Sequence, residues 1–158
     1  MNELNPARFP DLSGRPFDLQ VRHSSAHAPD ALYRAWTSGF DIWFAAPGSV
    51  QMIAAAGAPF YFETEFRPEQ AAAVQRHPHY GRFLRLIDNQ LVQVTWVTGT
   101  MGTEGAETVV SVDFEATAGG TLLQLSHAGF ANAASRDRHA QAWPLVLGQM
   151  EQKLQRAR

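Results

Sequence analysis

Apolar and polar residues alternate along much of the chain, which is the pattern of β-strands with one buried face. Residues 17–22 alternate in this way and predict a first strand. The same period of two returns further along the chain, over residues 50–54, 60–66, 83–87, 91–97, 108–115 and 121–130. Asp88-Asn89-Gln90 joins two of these stretches and is typical of a hairpin turn. About six strands in hairpin succession are therefore predicted after the first one.

Three other stretches carry apolar residues at the spacing of an α-helix. Pro29 suits the first turn of a short helix, and a second short helix is predicted over residues 40–44. The longest stretch begins near Ser135, its predicted N-cap, and repeats apolar residues at steps of three and four. Pro144 lies inside it and lacks the amide that would bond the carbonyl of Ala140, so a kink or a restart is expected there.

Two segments interrupt the strand pattern. Pro68 is expected to start a short helix that runs to Gln75 and ends before Pro78. The glycine-punctuated stretch over residues 99–105 predicts a hairpin loop. It lacks the spacing of a dinucleotide-binding loop and no helix follows it, so it gives little support for phosphate binding.

Composition limits the classes of protein to which the chain can belong. Its 158 residues suit one domain, predicted over 17–158 after an N-terminal arm over 1–16. The net charge of −2 and the single lysine, Lys153, argue against a nucleic-acid partner. The chain has no cysteine for a disulfide or a thiolate zinc site. Without an apolar stretch long enough to span a membrane and without a signal-peptide pattern over 1–10, a cytoplasmic location is expected.

Several short motifs follow one another in an order known from one family. They are Ala35-Trp36-Thr37, Trp43-Phe44-Ala45-Ala46-Pro47, Pro59-Phe60-Tyr61-Phe62 and the stretches 81–86, 91–96, 119–130 and 139–154. On these motifs the chain resembles the START/Bet v-like (SRPBCC) superfamily, in particular proteins similar to the activator of heat-shock-protein-90 ATPase. The resemblance implies an α+β helix-grip fold, in which a curved antiparallel sheet wraps around a long C-terminal helix and two short helices follow strand one. It also implies a hydrophobic cavity between sheet and helix. Residues 67–80 depart from the family, because they form an insertion in place of a simple turn, and they are a candidate lid for the mouth of the cavity.

The inward-facing aromatic and apolar residues are the candidates for the lining of such a cavity. By alternation, Leu123, Leu125 and His127 share the inward face of the last strand. The predicted lining consists of Trp36, Trp43, Phe60, Phe62, Phe83, Trp96, Val110, Phe114, His127, Trp143, Leu147 and Met150, with Tyr80 and Arg82 at the mouth. A place in a filled core is the alternative for each of these rings.

His127 is the candidate for chemistry, because an imidazole titrates near neutral pH and can donate to a ligand or act as acid or base. The alternative is a buried histidine that is satisfied by hydrogen bonds to nearby backbone. His77 and His79 are spaced to share a face, but no third metal ligand is fixed by spacing. No metal site and no cofactor are therefore predicted.

These observations favour the binding of a hydrophobic small molecule or lipid-like ligand in the cavity. One alternative is an enzyme of the cyclase or aromatase kind that uses His127 in the same cavity, and the sequence leaves open whether there is catalysis. A second alternative is a protein-interaction module, such as a chaperone ATPase activator, for which a filled cavity and an exposed apolar patch are expected. The sequence is also compatible with a homodimer.

Overall fold

A computed structural model describes residues 8–66 and 73–157. Seven strands and three helices follow each other in the predicted order. The strands are β1 (Phe17–Ser25), β2 (Gln51–Met52), β3 (Pro59–Phe66), β4 (Gln75–Ile87), β5 (Leu91–Trp96), β6 (Thr108–Thr117) and β7 (Gly120–Phe130). The helices are α1 (Pro29–Ala35), α2 (Phe40–Trp43) and α3 (Ala133–Arg156).

The seven strands form one open antiparallel sheet in the order β1-β7-β6-β5-β4-β3-β2. Strands β2 to β7 lie side by side in chain order. Strand β1 pairs with β7, so β1 and β2 are the two edge strands. Helix α3 packs against β1 and β7, and its middle meets α2. This arrangement confirms the predicted α+β helix-grip fold with two short helices after strand one.

Strand β4 pairs with β3 over its first part and with β5 over its second part, and its register with β5 shifts between Phe83 and Arg85. Residues 75–82 pair with β3, whereas 83–87 pair with β5. A Cβ atom on Gly81 would overlap the carbonyl oxygen of Thr95, so only glycine allows β5 to approach so closely. The predicted helix start at Pro68 lies outside the described residues. Its predicted end at Gln75 is wrong, because Gln75 pairs with Phe66 and begins β4.

Helix α3 is one continuous helix through Pro144. Of the expected kink or restart, the restart is therefore wrong, and the kink stays a prediction. The exposed ring of Pro144 costs the helix one hydrogen bond, and the flanking turns remain helical. The predicted cap was also wrong. The side-chain oxygen of Asn132 accepts the amide of Ser135 at 2.8 Å, so Asn132 is the N-cap and Ser135 lies in the first turn.

A cluster of aromatic rings fills the space between the short helices, the sheet and the middle of α3. Trp36 is fully buried against Trp43 and Trp143, with ring centroids 5.1 and 6.0 Å apart. Phe40 and Phe62 stack at 5.0 Å and extend the cluster to β3. Burial of these large rings is the main apolar contribution to the core. Within the described residues, no helix is both long and apolar enough to cross a membrane.

Candidate functional site

A cavity of about 620 Å³ lies at the end of the sheet where β3 and β4 form their hairpin. Trp96, Trp143 and Phe44 mark the boundary between this cavity and the filled core. The first half of α3 forms one wall and the loop after β5 forms another. The complete lining is Phe44, Thr64, Gln75, His77, Pro78, His79, Trp96, Thr98, Gly99, Thr100, Met101, Gly102, His139, Ala142, Trp143 and Val146.

The glycine-punctuated loop after β5 is fastened to the start of α3. Thr98 and Thr103 exchange backbone-to-hydroxyl hydrogen bonds at 2.8 and 2.9 Å and close the loop on itself. The carbonyl of Gly102 accepts from the Ser135 hydroxyl at 2.7 Å and from the Arg138 guanidinium at 3.1 Å. This wall of the cavity is therefore held in place by polar contacts with the helix.

His127 lies behind the cavity wall and is fully buried. The indole N–H of Trp143 donates to its Nδ1 at 3.0 Å, so Nδ1 carries no proton. The proton is on Nε2, which donates to the Thr108 hydroxyl at 2.7 Å, and that hydroxyl donates to the carbonyl of Trp96 at 2.5 Å. Burial lowers the pKa of His127 well below its usual value and keeps this neutral form. His127 thus joins the two tryptophans that line the cavity.

His79 points from β4 towards the cavity, on the same face of the strand as Phe83. Its ring stacks on Phe62 at 5.1 Å and meets the edges of Trp96 and Phe44 at 5.2 and 5.5 Å. Nδ1 lies 3.0 Å from the backbone carbonyl of His77, which can only accept, so Nδ1 carries the proton. Burial lowers the pKa of His79 to about 4, and its imidazole is therefore neutral at pH 7.

His139 reaches the same cavity from α3. Its Nδ1 donates to the carbonyl of Ser135 at 2.8 Å, one turn earlier in the helix. The ring meets His127 edge-on at 4.9 Å and packs on Phe130 at 4.8 Å. Burial lowers the pKa of His139, so this imidazole also favours the neutral form.

The cavity lining contains no Asp, Glu, Lys or Arg among the described residues. Its polar groups are imidazoles, threonine hydroxyls, one glutamine side chain and backbone. Across the described part of the chain, no group of three or more metal-ligating side chains is arranged to hold a metal ion. The described lining thus presents aromatic faces and hydrogen-bonding atoms, among them the neutral imidazoles of His79 and His139.

The structure brings together only part of the predicted lining. Trp96 and Trp143 line the cavity, and His127 supports both from behind. The other inward-facing residues pack in the filled core: Trp36, Trp43, Phe60, Phe62, Phe83, Val110, Phe114, Leu147 and Met150. Tyr80 and Arg82 lie on the other face of β4, where Arg82 borders a separate depression of about 360 Å³ with Arg15 and Glu107. Contact between a ligand and the residues of the predicted lining stays a prediction.

Sequence reasoning left several lining residues out. His77 and His79 share the parity of Phe83 along β4, which would have placed them on the inward face had the strand been extended to residue 75. His139 lies four residues before Trp143, at helical spacing on the same face of the predicted helix, which gave a second signal. Thr98 and Met101 come from an irregular loop, and no periodic pattern marks their direction.

The fold and the site together place the chain in a class of proteins, the α+β helix-grip domains with a cavity beside the C-terminal helix. The described lining of this cavity has no Asp, Glu, Lys or Arg. Residues 26–155 match the family of Activator of Hsp90 ATPase homolog 1-like proteins. The chain belongs to this family, as its sequence motifs had indicated. No curated protein sequence matches the chain.

Solved structures of similar fold come from several bacteria. A protein of Chromobacterium violaceum has a TM-score of 0.70 at 18% identity, covering 86% of this chain and 96% of that one. The Aha1 dimer of Colwellia psychrerythraea, solved in solution, has a TM-score of 0.64 at 16% identity and covers 87% and 96%. CalU16 of Micromonospora echinospora has a TM-score of 0.61 at 19% identity and covers 87% and 74%. At these identities the likeness concerns the fold.

Proposed function

We propose that the chain binds an uncharged, largely apolar small molecule in the cavity beside α3. The observation that carries this proposal is a volume of about 620 Å³ walled by Trp96, Trp143, Phe44 and Val146 without a charged side chain among its described lining. Cavities of this size are typical of sites for small organic ligands. The proposal also keeps the cytoplasmic location that the sequence favours.

The cavity favours ligand binding over the two alternatives. A protein-interaction module was expected to have a filled cavity, whereas this one is open beside Ala142 and Met101. A cyclase-like enzyme was expected to present His127 to its substrate, but both ring nitrogens of His127 are engaged behind Trp143. Binding requires only the apolar walls and a few polar atoms that the cavity offers.

A fluorescence titration with Nile red, an uncharged dye, tests the proposal. Its emission is expected to rise and shift to the blue when it enters the cavity, and the fluorescence of Trp96 and Trp143 is expected to fall. Ala142 is an exposed residue of the lining on α3, so Ala142→Trp fills the mouth and should weaken binding at least about tenfold.

Ala134→Trp is the matched control, because Ala134 is also exposed on α3 but does not line the cavity. It should bind the dye as the natural chain does. Equal affinity of the two tryptophan variants would place the dye elsewhere and contradict the proposal. Native mass spectrometry of the freshly purified protein gives a second reading, since a retained molecule would appear as added mass.

We also infer a homodimer as the working assembly, supported by the dimer of the similar Colwellia psychrerythraea protein. Light scattering after size exclusion should then give about twice the 17.5 kDa mass of the chain. A single species at 17.5 kDa across micromolar concentrations would contradict this part of the proposal.

A further inference from the structure

Two imidazoles in the cavity have their proton assignment fixed by the backbone. Nδ1 of His79 donates to the carbonyl of His77, and Nδ1 of His139 donates to the carbonyl of Ser135. Since a neutral imidazole has one N–H group, Nε2 of each ring holds a lone pair and can only accept.

Within the described residues, neither Nε2 atom has a hydrogen-bond partner. Neither atom is fully enclosed, and both side chains border the cavity. The rings are held in their orientations, His79 by stacking on Phe62 and His139 by packing on Phe130. The cavity therefore has two acceptor atoms whose positions do not adapt freely to the ligand.

The other polar groups of the lining are less selective. The hydroxyls of Thr64 and Thr100 can rotate to donate or accept, and the side-chain amide of Gln75 offers both functions. The hydroxyl of Thr98 already accepts the amide of Thr103. Among the side chains whose hydrogen-bonding role is fixed by an identified partner, His79 and His139 therefore present an acceptor to the cavity.

Resting on the proposed function, we propose that the cavity selects uncharged ligands that carry a hydroxyl or N–H donor, which Nε2 of His79 or His139 accepts. An apolar ligand without a donor displaces the water that solvates these lone pairs and leaves them unpaired, which costs affinity. A carboxylate is disfavoured further, because it brings a negative charge against two lone pairs with no lysine or arginine in the described lining. The lowered pKa of both imidazoles keeps them neutral at pH 7.

Three probes of nearly one shape separate these cases at pH 7: 2-naphthol, 2-methoxynaphthalene and 2-naphthoate. Displacement of Nile red is expected to rank 2-naphthol about tenfold tighter than 2-methoxynaphthalene, with 2-naphthoate weakest. The variants His79→Phe and His139→Phe keep a ring in place and remove the acceptor. The double variant should bind both uncharged probes equally, because 2-naphthol loses its acceptors and 2-methoxynaphthalene no longer leaves a lone pair unpaired.

His23→Phe is the control, because His23 contacts Glu151 and does not line the cavity. It should retain the preference for 2-naphthol. Nitrogen-15 spectra of the natural chain give a reading that needs no variant: 2-naphthol should shift the Nε2 resonance of His79 or His139, and 2-methoxynaphthalene should not.

The outcomes separate the two proposals. Nile red and all three probes failing to bind would refute ligand binding itself. Binding of Nile red with equal affinities for 2-naphthol and 2-methoxynaphthalene would refute the donor preference alone. A preference that survives in the double variant, or unshifted Nε2 resonances, would overturn the assignment to His79 and His139.

Discussion

At the scale of single residues, His127 shows how a buried imidazole acts as a structural link. Its Nδ1 accepts from Trp143 on α3, and its Nε2 donates to Thr108 on β6, which in turn bonds the carbonyl of Trp96 on β5. The chain of donors has only one consistent direction, because indole can only donate and a carbonyl can only accept. The helix and the sheet are thereby joined directly behind the cavity.

Substitution of His127 by phenylalanine is expected to lower the free energy of unfolding by about 2 kcal/mol. The ring volume is kept, but the indole N–H of Trp143 is left buried without an acceptor. Urea unfolding monitored by tryptophan fluorescence measures the loss. Thr108→Val breaks the same link, so the double variant should lose less than the sum of the two single losses. If the loss of unfolding free energy in the double variant equals the sum of the two single losses, the hydrogen bonds of His127 and Thr108 are energetically independent.

Stability should fall on acidification below pH 6.5, because His79 and His127 keep a lowered pKa in the folded chain. The unfolded chain takes up protons near pH 6.5 that the folded imidazoles do not, so the stabilisation is complete above that pH and is lost as the pH falls. For His79 the loss continues to about pH 4. Each group contributes a slope approaching about 1.4 kcal/mol per pH unit.

Urea unfolding at pH 7, 6 and 5 tests this dependence while most carboxylates are still ionised. His79→Phe should make the free energy of unfolding depend less steeply on pH, because one of the imidazoles that cause this dependence is removed. An unchanged slope in this variant would show that His79 does not stay neutral in the folded chain.

At the scale of elements, the alternation of residues along each strand predicted most of the side chains that face the core. Leu123, Leu125 and His127 are all buried on one face of β7, as their alternation indicates. The start of β4 was predicted wrongly because Pro78 and two histidines are weak strand formers, whereas pairing with β3 supplies the hydrogen bonds that make this segment a strand. His77 and His79 entered the site through this tertiary pairing.

Helix α3 should gain stability from Pro144→Ala. The exposed proline withholds an amide from the carbonyl of Ala140, and alanine restores it. A proline inside a helix costs about 3 kcal/mol relative to alanine, of which roughly 1 kcal/mol is offset by its restriction of the unfolded chain. A net gain of about 2 kcal/mol is expected in urea unfolding. Leu145→Ala, at a position 71% exposed, should change stability by less than about 0.5 kcal/mol.

Loss of stability in Pro144→Ala would contradict this account. It would mean that the turn around residue 144 has adapted to the ring so closely that a free amide finds no acceptor. The measurement therefore distinguishes a tolerated proline from a required one.

At the scale of the whole molecule, ligand binding and folding are linked. A ligand present at a hundred times its dissociation constant stabilises the folded chain by about 2.7 kcal/mol if it does not bind the unfolded one. For a chain of 158 residues this corresponds to a rise of about 5–10 °C in Tm. Circular dichroism with 2-naphthol should record that rise. For Ala142→Trp the same concentration is only about ten times the dissociation constant, so it should raise the Tm about half as much. An equal rise would contradict binding in the cavity.

The sequence by itself determined the order of elements, the antiparallel sheet, the helix that covers it and the family, because alternation and helical spacing are local properties of the chain. Tertiary structure decided which inward residues meet a cavity and which meet the core. Parity tells which face of a strand carries Phe62 or His127, but not what lies opposite that face. The position of α3 over the sheet sets Trp143 against His127 and leaves His79 and His139 open to the cavity.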